Sequence, residues 1–318
     1  MRHYRNSFQY AMATGSVTLP VVIVMSLVLW TIAEFGGGHL LQWQTLGGLL
    51  ACIFIVYSLI EVNTAYSFIR TGTLFHTSLF MLMYTAVPSL YVFGVGYLVP
   101  CLFVILLGMI FGSFENLYAS GSVFNSFLCL GLMTLLDPYL IMLLPVMFLQ
   151  LEYLRSFTAR TFIAGIMGLC IPYWFIWGYA AYADDYPFLL SKLHALIEFS
   201  PIDYSILRID QYLTYGFVLL LSIVGSYYTY GSSYKEKVHT RLMLHVMIIM
   251  QVAFNIMLIL QPSHFNTLMS LQIILASILA GYMFSMTFTP FTRIFSFVTL
   301  AFWLAVCTVN LWIHFKLY

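Results

Sequence analysis

Carboxylates at the ends of apolar segments are the first residues of this sequence that could do chemistry. Glu34 directly follows an apolar segment and precedes three consecutive glycines, which would let the backbone approach a ligand. Asp137 lies at the midpoint of a long apolar stretch, where an ionisable group is costly. A carboxylate in either place could act as a general base or bind a divalent metal ion. Glu34 and Asp137 are therefore the candidate catalytic residues, and a divalent metal ion is a cofactor that they would accept.

Each of these carboxylates also has a structural interpretation. Glu34 could be an ordinary polar residue at the end of a span. Asp137 and Pro138 form a pair that favours a turn. The sequence leaves both interpretations open.

Polar and aromatic residues beyond the ends of apolar segments are the candidates for substrate binding. His39, Asp184 and Asp185 lie in segments that the sequence predicts to be loops. Tyr173 and Trp177 belong to a group of aromatic residues at the end of one apolar segment, and such rings could stack on a sugar. The alternatives are that the loop carboxylates are simply solvated and that the rings form an interfacial aromatic belt.

Motifs of several common site classes are absent from the sequence. It contains no HExxH or HxxxH pattern, and its five cysteines lie in apolar runs without CxxC spacing. It also contains no P-loop, GxSxG or Rossmann fingerprint. The sequence therefore predicts no zinc site and no disulfide framework.

The elements that must position these residues are membrane-spanning helices. Hydrophobic residues make up 62% of the 318 residues, charged residues make up 7%, and the mean hydropathy is +0.95. A soluble domain has about 25% charged residues. The sequence therefore predicts an all-α, polytopic transmembrane helical bundle, a single integral membrane domain over residues 1–318 that contacts membrane lipids. The net charge of +1 gives no sign of a nucleic-acid partner.

Residues 123–153 are predicted to form a helical hairpin that turns at Asp137-Pro138. As a single span, this stretch would place the carboxylate near the bilayer centre, and proline disfavours helix in the residue before it. Each arm is short for a hydrocarbon core of about 30 Å at about 1.5 Å per residue, so a full crossing and a re-entrant loop both stay open. Counting the hairpin as two crossings gives about 11 spans.

The distribution of basic residues supports the hairpin. With the N-terminus in the cytoplasm, nine basic residues fall in cytoplasmic links and three on the opposite side, as the positive-inside rule requires. Treating residues 123–153 as one crossing divides the 12 basic residues evenly. The favoured topology is multi-pass with a cytoplasmic N-terminus. The residues that it places on the extracytoplasmic face include Glu34, His39, Asp137, Asp184, Asp185 and His264.

The longest predicted loop, residues 179–211, lies on the same extracytoplasmic side. It contains Asp184 and Asp185. Within it, the segment 188–199 has apolar spacing that suits an amphipathic helix lying flat at the membrane interface.

Residues 74–177 resemble the middle of the GT-C superfamily of membrane glycosyltransferases. The similar features are paired spans with short turns, the hairpin GLMTLLDPYLIMLLPVMFL, the basic link Arg155–Arg160 and a span with Ile171-Pro172-Tyr173 near its outer end. The resemblance implies transfer of sugars from polyprenyl-phosphate donors on the extracytoplasmic side. The catalytic carboxylate of that superfamily lies in a sizeable first outer loop, whereas the first outer loop of this chain is short and has Glu34 as its sole carboxylate.

The whole chain also resembles an uncharacterised family of bacterial polytopic inner-membrane proteins, through the links NSFLCLGLMTLLDPY and SSYKEKVHTRLMLHV. That resemblance implies a bacterial inner membrane and no particular activity. The leading hypothesis is a GT-C-related protein that handles a lipid or a lipid-linked sugar at the extracytoplasmic face. If it is an enzyme, a glycosyltransferase-like membrane transferase is expected. The alternative is a non-enzymatic membrane component, such as an assembly scaffold or a transporter subunit.

Overall fold

A computed structural model describes residues 8–15, 17–36, 43–69, 73–91, 97–184, 186–197 and 201–317. Over these ranges the regular structure is helical, with no β-strand. The α-helices are α1 (Phe8–Thr14), α2 (Thr18–Gly36), α3 (Trp43–Tyr66), α4 (Phe75–Thr85), α5 (Leu98–Phe111), α6 (Ser120–Leu136), α7 (Leu143–Tyr153), α8 (Ala159–Ala183), α9 (Tyr186–Ala195), α10 (Ile209–Ser232), α11 (Val238–Leu260), α12 (Phe265–Met286) and α13 (Pro290–Leu317). The predicted all-α class is confirmed.

Six of these helices are long and apolar enough to cross a membrane, namely α3, α8, α10, α11, α12 and α13. Helices α2, α5, α6 and α7 are also apolar but shorter. Helices of this length and composition are what a lipid bilayer requires, because each satisfies its backbone hydrogen bonds internally. The chain therefore has the architecture of a membrane protein, and the count of about 11 spans stays a prediction.

Helix α12 forms the centre of the bundle. Every residue from Leu268 to Ser285 is buried, and the helix contacts α4, α5, α10 and α11. An apolar helix without a polar face is expected to be surrounded by other helices in this way. Gly281 is the point of closest approach to α4, because a Cβ atom there would lie 2.7 Å from the Cα atom of His76.

Helices α6 and α8 pack closely along a line of glycines. A Cβ atom on Gly131 of α6 would lie 2.8 Å from the carbonyl oxygen of Leu169. A Cβ atom on Gly165 of α8 would lie 3.3 Å from the ring of Phe127. Small residues at such contacts allow two membrane helices to approach closely and gain dispersion energy. This glycine interface holds α8 against the first arm of the hairpin.

The structure has the break and the chain reversal that the sequence predicts within residues 123–153. Asp137 has an extended backbone (φ −136°, ψ 96°) and ends α6, and Pro138 then begins a 3-10 turn. Helix α7 returns antiparallel to α6, as the ring contact between Phe127 and Phe148 shows, with centroids 4.9 Å apart. The physical cause is local, because proline disfavours helical backbone in the residue before it.

Three short turns that begin with proline lie at one end of the bundle, which we call the Asp137 end. They are Pro88–Leu90, Pro138–Met142 and Pro262–His264. The last two meet through His264 and Asp137, and the first is joined to the start of α12 by a hydrogen bond from Ser89 to Asn266 (3.5 Å).

The opposite end of the bundle, which we call the Arg155 end, is held together by polar contacts between links. Arg155 forms an ion pair with Glu115 at 3.1 Å, although both side chains are largely exposed. The ring of His239 packs against Phe114 with centroids 4.6 Å apart. These contacts join the link after α5, the link after α7 and the start of α11.

The predicted loop 179–211 is shorter in the structure, because α8 continues to Ala183 and α10 begins at Ile209. Gly178 weakens the helix after Trp177 by only about 1 kcal/mol, and the alanines and tyrosines that follow are compatible with helix, so α8 continues to Ala183. The helix predicted over 188–199 corresponds to α9, which runs from Tyr186 to Ala195 and contacts the turn after Asp137. Residues 198–200 lie outside the described part of the chain.

Candidate functional site

Asp137 and His264 form a close pair at the Asp137 end. The His264 Nδ1 atom lies 2.9 Å from Asp137 Oδ1. The carboxylate side chain is 6% exposed and the imidazole is 31% exposed. The carboxylate of Asp137 is therefore buried, whereas the imidazole of His264 is accessible to solvent or to a substrate.

The two proline turns place these side chains together. Pro138 excludes Asp137 from the helix, while the Asp137 N–H still donates to the carbonyl oxygen of Met133 (2.9 Å). His264 is the last residue of the turn Pro262–His264 and immediately precedes α12. Both residues therefore lie in short turns between packed helices. Such turns have little freedom to move, so they can hold the two side chains in a fixed relative orientation.

The contact with Asp137 assigns the roles of the two imidazole nitrogens. With Nδ1 beside the carboxylate, the proton of the neutral ring belongs on Nδ1, and Nε2 has a free lone pair. The carboxylate fixes the ring orientation and stabilises the imidazolium that forms when Nε2 accepts a proton. This arrangement is suited to general-base catalysis by His264.

Tyr139 gives the imidazole a second support. Its ring stacks on that of His264, with centroids 5.4 Å apart and planes 15° from parallel. The Tyr139 hydroxyl donates to the carbonyl oxygen of Met257 on α11 at 3.3 Å. The hairpin turn is thereby tied to both α11 and the turn that contains His264.

Tyr173, a predicted substrate-binding residue, is hydrogen-bonded to the helix that ends at Asp137. Its hydroxyl donates to Thr134 Oγ1 at 2.9 Å, one helical turn before Asp137 on α6. The Tyr173 side chain is half-buried, whereas Trp177, one turn further along α8, is exposed. The position of Trp177 suits an aromatic ring at a membrane interface.

The other predicted site residues are not brought to the pair by any described contact. Asp184 is exposed and ends α8 in a left-handed conformation (φ 51°). Glu34 lies in the last turn of α2, but its side chain is outside the described part of the structure, as are His39 and Asp185. The structure therefore does not test the roles proposed for Glu34, His39 and Asp185.

The described residues contain no group of three or more His, Cys, Asp or Glu side chains that could hold a metal ion. The Asp137–His264 pair offers two ligand atoms, and every described cysteine is a free thiol. A carboxylate beside an imidazole can accept and donate protons, which is the chemistry that the pair itself offers.

The 3-10 turn Tyr204–Ile206, which precedes α10, packs against the turn that carries His264. The Tyr204 hydroxyl donates to the carbonyl oxygen of Ile259 at 2.8 Å, and the 3-10 turn Tyr204–Ile206 contacts the turn Pro262–His264. Asp203 starts this turn and accepts hydrogen bonds from the backbone N–H (2.9 Å) and the hydroxyl (2.7 Å) of Ser205. These two donors hold the pKa of Asp203 below its usual range, so the carboxylate that closes the turn is ionised near neutral pH.

His264 was placed on the same face as Asp137 by the sequence but was not among the predicted site residues. A usable signal was present, because Gln261-Pro262 interrupts two apolar segments in the same way as Asp137-Pro138 does. A proline between two adjacent spans favours a turn at the end of the bundle. His264 lies in one such turn and Asp137 in another, both at the Asp137 end.

Comparison of the chain with protein-family models, with curated proteins and with solved structures found no match. The resemblances to the GT-C superfamily and to the bacterial inner-membrane family therefore stay predictions. The class that the structure itself defines is a membrane protein of apolar helices with an acid–histidine pair at one end of the bundle.

Proposed function

We propose that this integral membrane protein uses His264 as a general base, oriented by Asp137, on a lipid or a lipid-linked sugar at the extracytoplasmic face of a bacterial inner membrane. The observation that supports the proposal is the 2.9 Å contact between a buried carboxylate and an accessible imidazole. Paired groups of this kind are the usual means of activating a hydroxyl for transfer.

In the proposed reaction, Nε2 of His264 accepts the proton of an acceptor hydroxyl as its oxygen attacks the sugar of a polyprenyl-phosphate donor. The bond from the sugar to the phosphate breaks, and the phosphate leaves with the electron pair. Asp137 is a positioning residue in this scheme, since its carboxylate contacts the imidazole and is almost fully buried. The protein would then be a glycosyltransferase-like membrane transferase.

The surroundings of the pair support a lipid-linked substrate. Helix α9 contacts the turn Pro138–Met142 and has basic residues, Lys192 and His194, in its last turn. Exposed aromatic side chains, among them Trp174 and Trp177, lie on the half of α8 that leads to α9. Aromatic rings and amphipathic helices of this kind are typical of the membrane interface, where a lipid-linked headgroup would lie.

A deletion strain tests this function. The strain should accumulate a lipid acceptor or donor that the wild-type protein would convert, and mass spectrometry of lipid extracts should detect it. The variant His264→Gln should lower the conversion by about 10²-fold or more, because a general base contributes about 10²–10⁴-fold. The matched control is His245→Gln, which changes a partly buried histidine of α11 that lies next to Ser233 near the Arg155 end and should restore conversion fully.

The amount of protein in the membrane distinguishes a loss of catalysis from a loss of folded protein when lipid conversion falls. A chemical role requires that His264→Gln accumulate to the wild-type level while conversion is lost. Full conversion by His264→Gln, or identical lipid extracts from deletion and wild-type strains, would contradict the proposed function.

We also propose an orientation, with the Asp137 end outside and the Arg155 end in the cytoplasm. The positive-inside rule supports it, since six of the basic residues whose side chains the structure describes lie near the Arg155 end and two lie near the Asp137 end. The six are Arg155, Arg160, Lys235, Lys237, Arg241 and Arg293, and the two are Lys192 and Arg208.

Labelling of spheroplasts with a membrane-impermeant maleimide tests the orientation. The variant Ile202→Cys should be labelled in intact spheroplasts, whereas Lys235→Cys should be labelled only after permeabilisation. Both residues are exposed, and the unsubstituted chain serves as the background control for the native cysteines. The reverse pattern would place the Asp137–His264 pair in the cytoplasm and exclude an extracytoplasmic reaction.

A transporter subunit or assembly scaffold is the second candidate function. It is favoured by a group of buried amide side chains between α10, α11 and α12, since polar groups within membrane helices often mark a permeation path or a helix contact. This alternative predicts that His264→Gln lowers the protein level and the phenotype together, without any change specific to a lipid.

A further inference from the structure

Four polar side chains meet in the interior of the bundle, where α10, α11 and α12 are packed together. Gln251 Nε2 donates to Ser222 Oγ at 2.6 Å, and Gln272 Nε2 donates to Asn255 Oδ1 at 2.5 Å. Asn255 Nδ2 donates to the backbone carbonyl oxygen of Gln251 at 2.8 Å. We call Ser222, Gln251, Asn255 and Gln272 the amide cluster.

Two carbonyl oxygens of the amide cluster, Gln251 Oε1 and Gln272 Oε1, are free to accept hydrogen bonds. Gln251 is 1% exposed and Gln272 is 0% exposed, yet the Oε1 atom of each has no hydrogen-bond partner among the described residues. The amide nitrogens of both glutamines are hydrogen-bonded within the cluster. A buried carbonyl oxygen without a partner is costly, so the two oxygens are expected to meet a hydrogen-bond donor or a cation.

The chemistry of the cluster favours a cation of single charge. Its free atoms are oxygens, which excludes an anion, and its four members include no carboxylate. Divalent cations in proteins are normally bound by carboxylates, whereas neutral carbonyl oxygens are sufficient for Na⁺ and K⁺. Gln272 is seven residues into α12, roughly 10 Å along the helix from the turn that carries His264, so the cluster is separate from the proposed catalytic pair.

We propose that the amide cluster binds a monovalent metal cation, with the Oε1 atoms of Gln251 and Gln272 as ligands. The ion links α11 to α12 within the bundle and is held by neutral oxygens. The proposal is independent of the reaction assigned to His264.

Thermal unfolding of the purified full-length protein in detergent tests the proposal. The probes are the chlorides of sodium, potassium and lithium, each compared with N-methyl-D-glucamine chloride at the same ionic strength. One of the metal ions should raise the Tm in a saturable manner, by about 5 °C at 100-fold above its Kd. The variants Gln251→Leu and Gln272→Leu should lose this rise.

The control variant is Gln150→Leu, which removes another fully buried glutamine whose amide atoms have no hydrogen-bond partner among the described residues. It lies on α7, outside the amide cluster, and should keep the response of the wild type. If the leucine variants do not fold, Gln272→Glu is used instead. Its added carboxylate should lower the half-saturating ion concentration by roughly 10-fold.

The proposal is overturned if the Tm of the wild type is the same in all four chlorides at equal ionic strength. It is also overturned if the ion response survives in both leucine variants, or if Gln272→Glu leaves the half-saturating concentration unchanged. In either of these two cases the ion acts elsewhere on the protein.

Discussion

Replacement of Gly168 with valine is expected to prevent the protein from accumulating in a folded form. A Cβ atom on Gly168 would overlap the backbone carbonyl oxygen of Phe124 and lie 3.1 Å from the backbone nitrogen of Leu128. No side-chain rearrangement can relieve a clash with backbone, so α8 must move away from α6. The expected loss of stability is about 3 kcal/mol or more, at the upper end of the range for overpacking.

Gly178→Val is the matched control, because it makes the same substitution in the same helix where no atom lies within 4 Å of the added Cβ. Its effect on stability should be about 0.5 kcal/mol or less. The measurement is thermal unfolding in detergent, together with the amount of protein in the membrane. Equal stability of Gly168→Val and Gly178→Val would mean that α6 and α8 do not pack along the glycine interface.

The second large effect is expected for Asp137→Asn, which keeps the size of the side chain and removes its charge. The imidazole of His264 would lose the partner of its Nδ1 atom, and with it the fixed ring orientation. Lipid conversion should fall about 10²-fold or more. Because the two residues act as a unit, the double variant Asp137→Asn, His264→Gln should be no less active than His264→Gln alone.

Stability provides an independent readout of the same pair. A double-mutant cycle over Asp137 and His264 should give a coupling energy of about 1–3 kcal/mol, since one partner is buried and the contact is charge-assisted. The control is Glu152→Gln, which changes an exposed carboxylate near the end of α7, at the Arg155 end, and should alter neither activity nor stability. Additive losses of activity in the double variant would show that Asp137 does not act through His264.

The effect of the Asp137-Pro138 dipeptide could be predicted from the sequence because its cause is local. Proline restricts the backbone of the residue before it, whatever the tertiary structure. The all-α class could be predicted because the apolar residues are too frequent and too continuous for a soluble domain. The extent of α8 was harder to predict, since Gly178 and the aromatic residues around it suit both a helix end and an exposed helix surface.

The amide cluster and the glycine interface were not apparent from the sequence. Gln251 and Gln272 each lie in an ordinary apolar segment, and nothing in the segment indicates which face of the helix meets another polar group. Likewise, Gly168 and Gly178 belong to one helix, yet only Gly168 meets a neighbouring backbone. Such differences depend on helix rotation and crossing angle, which are set by packing between segments far apart in the chain.

The sequence by itself determined that this is an all-helical chain of apolar segments, broken by a turn at Asp137. Only the tertiary structure decided that Asp137 is buried beside His264, and that Tyr173 is hydrogen-bonded to Thr134 on the helix that ends at Asp137. The physical reason is the distance along the chain over which each effect acts. Composition and proline act on neighbouring residues, whereas the partner of a buried carboxylate is chosen by how distant helices fit together.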